Sequence, residues 1–262
     1  MKVSDILKAV EQLAPVSMKM DWDNVGLLCG DPDQEVRKIP VALDPFEDTA
    51  REAEEIGAQL VLTHHPLIFR PCKTVVASDP VGRTIRYLIK HDISAINAHT
   101  NLDCAPGGVN DVLAARLGLM NVEVINPQGI DAQGRPWGLL RKGTAPEQPL
   151  DEFLGTVKES LGCPGLRYVS GGKPVKVVAV GGGACGSEFM DAVSAGCDTF
   201  VTSDIRYNQF WDAQDYGINL IDAGHFYTEN PVCTLLKSVM EEKFPEITTV
   251  ISKKHGDCMK FF

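Results

Sequence analysis

The sequence lacks the long apolar segments that membrane-spanning and secreted chains carry. A membrane helix needs roughly 18 uninterrupted apolar residues, and no stretch of the 262 residues approaches that length. The opening segment, residues 1–15, is amphipathic and carries charges throughout, unlike the apolar core of a signal peptide. We therefore expect a cytoplasmic protein without a membrane partner.

Basic residues are also scarce relative to acidic ones. The chain has 25 Lys and Arg against 35 Asp and Glu, which gives a formal net charge of -10. Because a negative surface repels phosphate backbones, we expect no nucleic-acid partner. A small phosphorylated ligand is still compatible with this charge, since pocket charge is set locally, and bound cations would offset part of it.

No cysteine pair has the C-x-x-C spacing of a zinc ribbon or a redox motif, although the chain contains eight cysteines. Scattered cysteines in a chain of this kind are typical of reduced, buried thiols. Cys104 is interpreted in the same way, because a nucleophilic thiol needs an adjacent base and only His99 is near it in sequence.

Helical and strand patterns alternate along the chain. Short apolar runs at residues 39–43, 60–63 and 93–98 alternate with amphipathic stretches, and the same rhythm resumes after residue 150. Such an alternation predicts an α/β fold in which helices cover mostly parallel sheets.

A junction divides this pattern into two lobes. Residues 126–149 are rich in Gly, Pro and polar residues, which is typical of an irregular connection. We therefore predict a first α/β lobe at residues 1–125, completed by residues 232–262, and a second α/β lobe at residues 126–231. Each is expected to be a mostly parallel mixed sheet flanked by helices.

Polar residues directly follow three of the predicted strands, at the edge where ligands gather in parallel α/β sheets. These residues are His64 and His65 after residues 60–63, His99 and Asp103 after residues 93–98, and His225 and Glu229 after residues 219–222. Taken singly, each cluster has an ordinary interpretation. A histidine doublet can be a polar turn, and an aspartate can cap a turn or helix. A histidine and a glutamate four residues apart can form a surface pair on a helix.

The coincidence of the three clusters favours a metal site, since they contain four of the six histidines. The predicted ligands are His64, His65, Asp103, His225 and Glu229. Imidazole and carboxylate ligands suit Zn, Fe, Mn, Co or Ni better than Ca or Mg. Five ligands exceed the four of a tetrahedral structural zinc, which predicts an open site with two divalent ions. His99 can bind a metal, relay a proton or orient a ligand.

Three further features are left with two interpretations each. The Gly-rich run at residues 181–186 can approach a phosphate with its backbone or can permit close packing. Asp44 can enter the site or cap the helix that follows it. Arg206 can contact an anionic ligand, although a solvated helix face is the simpler interpretation.

Motifs in several parts of the chain resemble those of the GTP cyclohydrolase 1 type 2 homologs, also described as NGG-interacting-factor-like proteins. The matching motifs, in family order, are Trp22-Asp23-Asn24-Val25-Gly26-Leu27, Thr63-His64-His65-Pro66, Ala98-His99-Thr100-Asn101-Leu102-Asp103, Gly181-Gly182-Gly183 and His225 through Glu229. The chain departs from the family pattern at Thr202-Ser203-Asp204, where T-G-D/E is usual. Residues 126–175 form too short a segment for the inserted domain that longer relatives carry.

The resemblance implies two linked α/β lobes with a dinuclear metal site in the cleft between them. By this analogy one ion takes His65, Asp103 and Glu229, and the other takes His64, His225 and the bridging Glu229. It also implies a homo-oligomer, a toroidal hexamer. The family name implies hydrolysis of GTP, with opening of the purine ring and release of formate, and His99 as the catalytic acid or base.

Two other functions stay open from the sequence. The chain can be a non-catalytic metal-binding, metal-insertion or interaction protein, or a phosphoesterase acting on a nucleotide-like substrate. A purely structural metal is disfavoured, because closed structural sites prefer cysteine ligands.

Overall fold

Two mixed sheets with flanking helices organise the chain, which the computed structural model describes from residue 1 to residue 261. The helices are α1 (Val3–Leu13), α2 (Glu47–Glu55), α3 (Pro80–Lys90), α4 (Thr100–Cys104), α5 (Val109–Arg116), α6 (Leu150–Leu161), α7 (Phe189–Ser194), α8 (Tyr207–Tyr216), α9 (His225–Glu229) and α10 (Pro231–Lys243). The strands are β1 (Gly26–Cys29), β2 (Lys38–Ala42), β3 (Leu60–Thr63), β4 (Ser94–Asn97), β5 (Met120–Ile125), β6 (Gly129–Ile130), β7 (Pro136–Trp137), β8 (Leu140–Gln148), β9 (Arg167–Val169), β10 (Val175–Val180), β11 (Thr199–Thr202), β12 (Asn219–Asp222) and β13 (Thr248–Ile251).

The first unit comprises Met1–Ala105 and Val232–Cys258. Its five strands lie in the order β1-β4-β3-β2-β13, and every pair except β1 with β4 is parallel. The central strands β3 and β4 are buried along their whole length, as expected for parallel strands covered on both faces. Helices α2 and α3 pack on one face, where Ala53, Val61 and Leu88 belong to one buried cluster.

The register of the first sheet sets the position of the polar clusters. Thr63 at the end of β3 pairs with Asn97 at the end of β4, and Ala42 at the end of β2 pairs with Thr63. Because these strands are parallel and in register, the residues that follow them leave the sheet at one edge. The loops after β2, β3 and β4 therefore emerge side by side.

The second unit comprises Pro106–Pro231 and the residues from Met259 onwards. Its six strands lie in the order β5-β8-β10-β11-β12-β9. The pairs β10–β11 and β11–β12 are parallel, and the three outer pairs are antiparallel. The expectation of a mostly parallel sheet thus fits the first sheet better than the second, whose outer strands all run against their neighbours.

Helices cover both faces of the second sheet, as strand periodicity requires. Val178 packs with Phe153 of α6 in one buried cluster. The next residue along the strand, Ala179, packs with Phe189 of α7 in another. Successive strand side chains point to opposite faces, so that the two clusters fill the two sides of one sheet.

The division between the units lies earlier than the sequence indicates. Residues 106–125, which the sequence pattern assigns to the first lobe, lie in the second unit, because β5 pairs with β8. Residues 232–258 return to the first unit and supply α10 and β13. Among the described residues, no helix combines the length and the apolar character that crossing a bilayer would require.

Candidate metal centre

His64 and His65 extend the pairing of β3 beyond its last residue. The backbone N–H of His64 donates to the carbonyl of Ala42 at 3.3 Å, and that of His65 donates to the carbonyl of Leu43 at 2.9 Å. The side chain of His64 is fully buried, whereas that of His65 is partly exposed. The backbone that carries the two imidazoles is thus fixed by the edge of the sheet.

The hydrogen bond of His64 identifies the nitrogen that can bind a metal. Its Nδ1 lies 2.8 Å from the carbonyl oxygen of Ala98, and a carbonyl can only accept, so that Nδ1 carries the proton. In the neutral ring, Nε2 then presents its lone pair. That Nε2 lies 3.5 Å from Oδ1 of Asp103, a buried residue of α4. The imidazole nitrogen and the carboxylate oxygen both carry lone pairs, and a cation bound between them would stabilise this arrangement.

His65 is held by a carboxylate that also lies at the sheet edge. Its Nδ1 lies 2.7 Å from Oδ1 of Asp44, which follows β2. Of the two interpretations left for Asp44, contact with the site is therefore the one observed. A carboxylate that fixes one ring nitrogen orients the other, which is the usual support of a metal-binding histidine.

His99 joins the same group of rings and has its own carboxylate partner. Its Nδ1 lies 2.8 Å from Oδ1 of Asp23, a residue that the sequence analysis did not single out. Burial raises the pKa of Asp23, but hydrogen bonds from His99 and Thr100 outweigh this effect and hold it well below its usual range. The imidazoles of His64, His65 and His99 each offer a nitrogen within 4.8 Å of the others.

The second unit contributes the remaining pair of predicted ligands. His225 begins α9 immediately after Gly224, whose φ of 85° turns the chain out of the sheet. Its Nε2 lies 2.9 Å from Oε2 of Glu229, four residues later on the same helix face and only 4% exposed. The helical spacing therefore brings the two predicted ligands of this unit together.

Asp204 supports the ring of His225 in the same way that Asp44 supports the ring of His65. Its Oδ2 lies 2.7 Å from Nδ1 of His225, and its backbone adopts a left-handed φ of 53°, a conformation that aspartate tolerates. Burial lowers the pKa of His225, but the two flanking carboxylates outweigh it and raise the pKa to about 11. The ring thus lies between two carboxylates, Asp204 and Glu229, which favour positive charge at this position.

The Gly-rich run packs against Glu229. A Cβ atom on Gly183 would lie 2.0 Å from Oε1 of Glu229, and one on Gly182 would lie 3.2 Å from its Cγ. The backbone N–H groups of Gly182 and Gly183 donate to Asn110 and Thr228 of the protein. The run therefore allows close approach to a buried carboxylate, and the amides of Gly182 and Gly183 already donate within the protein.

The distances between the paired ligand atoms fit divalent-metal coordination. With ligand bonds of about 2.1 Å, two ligand atoms on one ion lie ~3.4 Å apart in a tetrahedral site and ~3.0 Å apart in an octahedral one. The 3.5 Å between His64 and Asp103 and the 2.9 Å between His225 and Glu229 match these separations. Imidazole and carboxylate ligands of this kind can hold a first-row transition metal in each unit.

Comparisons with known proteins identify the family of the chain. The sequence model of the Duf34/NIF3 family (NGG1p interacting factor 3) matches residues 1–257. The chain belongs to this family. A Clostridium perfringens protein named GTP cyclohydrolase 1 type 2 homolog is 36% identical over 266 aligned residues, covering 100% of both chains. A Streptomyces coelicolor protein of the same name is 37% identical over 260 residues, covering 97% of this chain and 88% of the relative.

A solved structure shares the whole fold with this Duf34/NIF3 chain. The Bacillus cereus protein described as related to NIF3 superposes with a TM-score of 0.94 at 26% identity, covering 100% of this chain and 99% of that one. The resemblance based on sequence motifs is thus confirmed, and so is the mixed α/β fold.

Within this family member, each unit gathers part of the predicted site. The first unit brings together His64, His65, His99 and Asp103, and the second brings together His225 and Glu229. Asp103 lies beside His64, and the division of the five ligands between two ions, as the resemblance implies it, stays a prediction. A common centre formed by all five ligands stays a prediction, as does the catalytic role of His99.

Proposed function

We propose that this chain is a metal-dependent hydrolase whose active centre holds two divalent ions. The proposed ligands are His64, His65, Asp103, His225 and Glu229. The observation that carries the proposal is the buried pair formed by Nε2 of His64 and Oδ1 of Asp103, 3.5 Å apart, with the tautomer of the imidazole set by Ala98.

The observed pairing suggests how the ligands divide. His64 and Asp103 would share one ion, His65 and His225 would bind the other, and the carboxylate of Glu229, with two oxygens, would bridge them. Asp44 and Asp204 would hold the rings of His65 and His225 in place through their Nδ1 atoms.

His99 is the proposed proton carrier. Asp23 accepts from Nδ1 and fixes the ring, so that Nε2 is the atom that takes or delivers a proton. Bound divalent ions would polarise the reacting bond and lower the pKa of a water toward neutrality. The buried carboxylate of Asp23 would stabilise the imidazolium of His99 whenever the ring carries a second proton.

The names of the relatives support a guanine nucleotide as the substrate. Two relatives with 36% and 37% identity are named GTP cyclohydrolase 1 type 2 homologs. We therefore propose opening of the purine ring of GTP with release of formate. Hydrolysis of a phosphoester in a nucleotide is the related reaction that a two-ion site also suits.

The activity test uses purified protein reloaded separately with Mn, Fe or Zn and supplied with GTP. Formate and phosphate are quantified together, which separates ring opening from phosphoester hydrolysis. We expect His65→Ala to abolish turnover and His91→Ala to retain it, because His91 pairs with Glu54 outside both ligand sets. Turnover of neither kind above the His65→Ala background would refute the hydrolase.

The partial exposure of two ligands favours one alternative, a protein that carries metal without catalysis. The side chains of His65 and His225 keep 20% and 31% of their surface exposed, and an ion bound there can be passed on. A carrier would exchange bound Zn with a chelator within minutes and turn over no nucleotide. An enzyme would hold its metal and lose activity in Glu229→Ala.

Elemental analysis tests the shared centre directly. We expect two ions per chain in the wild type, about one in His64→Ala and fewer than one in Glu229→Ala, because the last variant removes the bridge. Two ions retained in Glu229→Ala would refute the bridging role. His91→Ala again serves as the control.

The assembly implied by the family resemblance and the location expected from the sequence are part of the same proposal. We propose a cytoplasmic homohexamer, whose mass in light scattering would be six times the 28.5 kDa of the chain. A monomeric mass at micromolar concentration would contradict it.

A further inference from the structure

Two large aromatic side chains of the first unit are exposed to solvent next to each other. Trp22 is 63% exposed and Phe69 is 46% exposed, although both are apolar rings that folding usually buries. Their centroids lie 5.7 Å apart and their planes meet at 74°. Rings at this angle form a corner, in which a planar molecule can stack on one ring and meet the edge of the other.

A hydrogen bond links the two segments that carry this aromatic pair. Nδ2 of Asn24 donates to the carbonyl of Ile68 at 2.6 Å, which ties the Trp22 segment to the residue before Phe69. Nζ of Lys19 donates to the carbonyl of Asp23 at 3.0 Å. The backbone segments on either side of the pair are therefore linked before any ligand arrives, which lowers the entropic cost of binding.

The aromatic pair lies next to the histidines of the candidate metal centre. The ring of His99 lies 6.3 Å from Trp22 and 6.1 Å from Phe69, and the same ring lies 5.3 Å from His64. A planar group stacked on the pair would therefore lie against the proposed proton carrier.

A groove with basic residues begins at Phe69. It has a volume of about 420 Å³ and is lined in part by Phe69, Arg70 and Lys73. Within residues 1–261, neither Arg70 nor Lys73 has an ion-pair partner. The groove thus carries two basic side chains and one acidic side chain, Asp79, whose carboxylate already accepts from the N–H of Gly82.

We propose that Trp22 and Phe69 bind the planar heteroaromatic ring of the substrate and that Arg70 and Lys73 bind its phosphate tail. The ligand class is a nucleotide, oriented with the base toward His99. The inference rests on the proposed function, because it adds a substrate-binding and specificity-determining surface to the same centre.

The test uses Trp22 as the reporter. The chain has three tryptophans, and the double variant Trp137→Phe/Trp211→Phe leaves only Trp22. In this metal-loaded protein we expect guanosine and GTP to quench the fluorescence saturably, and inorganic triphosphate to do so weakly or not at all. Calorimetry on the single variant Trp22→Ala gives the same comparison if the double variant folds poorly.

Substitutions separate the two parts of the surface. Base–aromatic stacking is lost in Phe69→Ala, so we expect the affinity for both guanosine and GTP to fall about tenfold. Arg70→Ala should weaken GTP and leave guanosine unchanged. Phe46→Ala is the matched control, since Phe46 is also exposed in the first unit and has no place in the proposed surface.

Several results would overturn the inference. They are an absence of saturable quenching at millimolar guanosine, an equal affinity in wild type and Phe69→Ala, or a loss of binding in Phe46→Ala. A blue-shifted Trp22 emission that iodide does not quench would assign this surface to contact with a second copy. Base binding without turnover would leave this inference standing and refute the hydrolase. Turnover without base binding to Trp22 would refute this inference and leave the hydrolase proposal standing.

Discussion

Replacing Gly183 by alanine should disturb the candidate metal centre through Glu229. The new Cβ would lie 2.0 Å from Oε1 of Glu229, and such contacts are essentially never closer than 3.0 Å, so that the carboxylate must move by about 1 Å or more. The left-handed φ of 64° adds a cost of ~1–2 kcal/mol for any residue with a Cβ.

Gly196→Ala isolates the backbone part of this effect. Gly196 has a φ of 77° and nothing within 4 Å of the position of a Cβ. We expect Gly196→Ala to lower the free energy of unfolding by only ~1–2 kcal/mol. Gly183→Ala should add ~1–3 kcal/mol, because it moves a buried carboxylate from its partners.

The two variants are compared by urea denaturation and by calorimetric titration with Mn or Zn. We expect Gly183→Ala to bind metal at least about tenfold more weakly than wild type, since displaced supports of a metal site cost about that much. Gly196→Ala should bind as the wild type does. Equal metal affinity in both variants would refute the argument that Gly183 exists to make room for Glu229.

Three further predictions concern other groups. Asp44→Asn should weaken metal binding about 10- to 100-fold without unfolding the protein, because His65 loses the carboxylate that orients it; unchanged affinity in calorimetry would contradict this. Burial lowers the pKa of His255 below 6.5, and its neutral Nδ1 accepts from the N–H of Leu43. The contribution of this side chain to the free energy of unfolding is therefore complete above pH 6.5, and it is lost as the pH falls through the depressed pKa. The difference in unfolding free energy between wild type and His255→Gln should therefore shrink from pH 7.5 to pH 5, and a constant difference would contradict the linkage. Burial raises the pKa of the Cys197 thiol to about 11, so mass spectrometry should find it unlabelled by a thiol reagent at pH 8 until denaturant is added.

The parallel core of the first unit could be predicted because its physical signal is local. Buried parallel strands are continuous apolar runs, and the residues after them must share one edge of the sheet. The proximity of His64 and Asp103, 39 positions apart in sequence, follows from that geometry alone.

The carboxylate that supports His99 could not be predicted in the same way. Asp23 reaches His99 across 76 positions of sequence. It lies in a loop whose conformation no periodicity describes. Only the motif match around Trp22 drew attention to that loop, and a motif match does not say which atom contacts which.

The second unit shows why edge strands are harder to predict than central ones. Most residues of β5 are exposed, so its sequence carries little of the alternation that would reveal its partner. The sequence pattern therefore groups residues 106–125 with the first lobe, whereas in the structure they belong to the second unit.

The last helical region also differs in detail. The stretch 226–242 carries no glycine and could form one continuous helix, whereas α9 ends at Glu229 and α10 begins at Pro231. Proline has no N–H to donate and is tolerated in the first turn of a helix, so the chain starts a new helix there.

The pairing of β13 with β2 has a consequence for the order of biosynthesis. Thr248–Ile251 must leave the ribosome before the outer edge of β2 is covered, whereas nearly all of the second unit has by then been translated. During synthesis, the edge of β2 in the first unit therefore stays unpaired until β13 is made. In that state, edge-to-edge association with other chains competes with folding. A truncation that removes β13 should consequently lower the yield of soluble protein, although β13 supplies none of the proposed metal ligands.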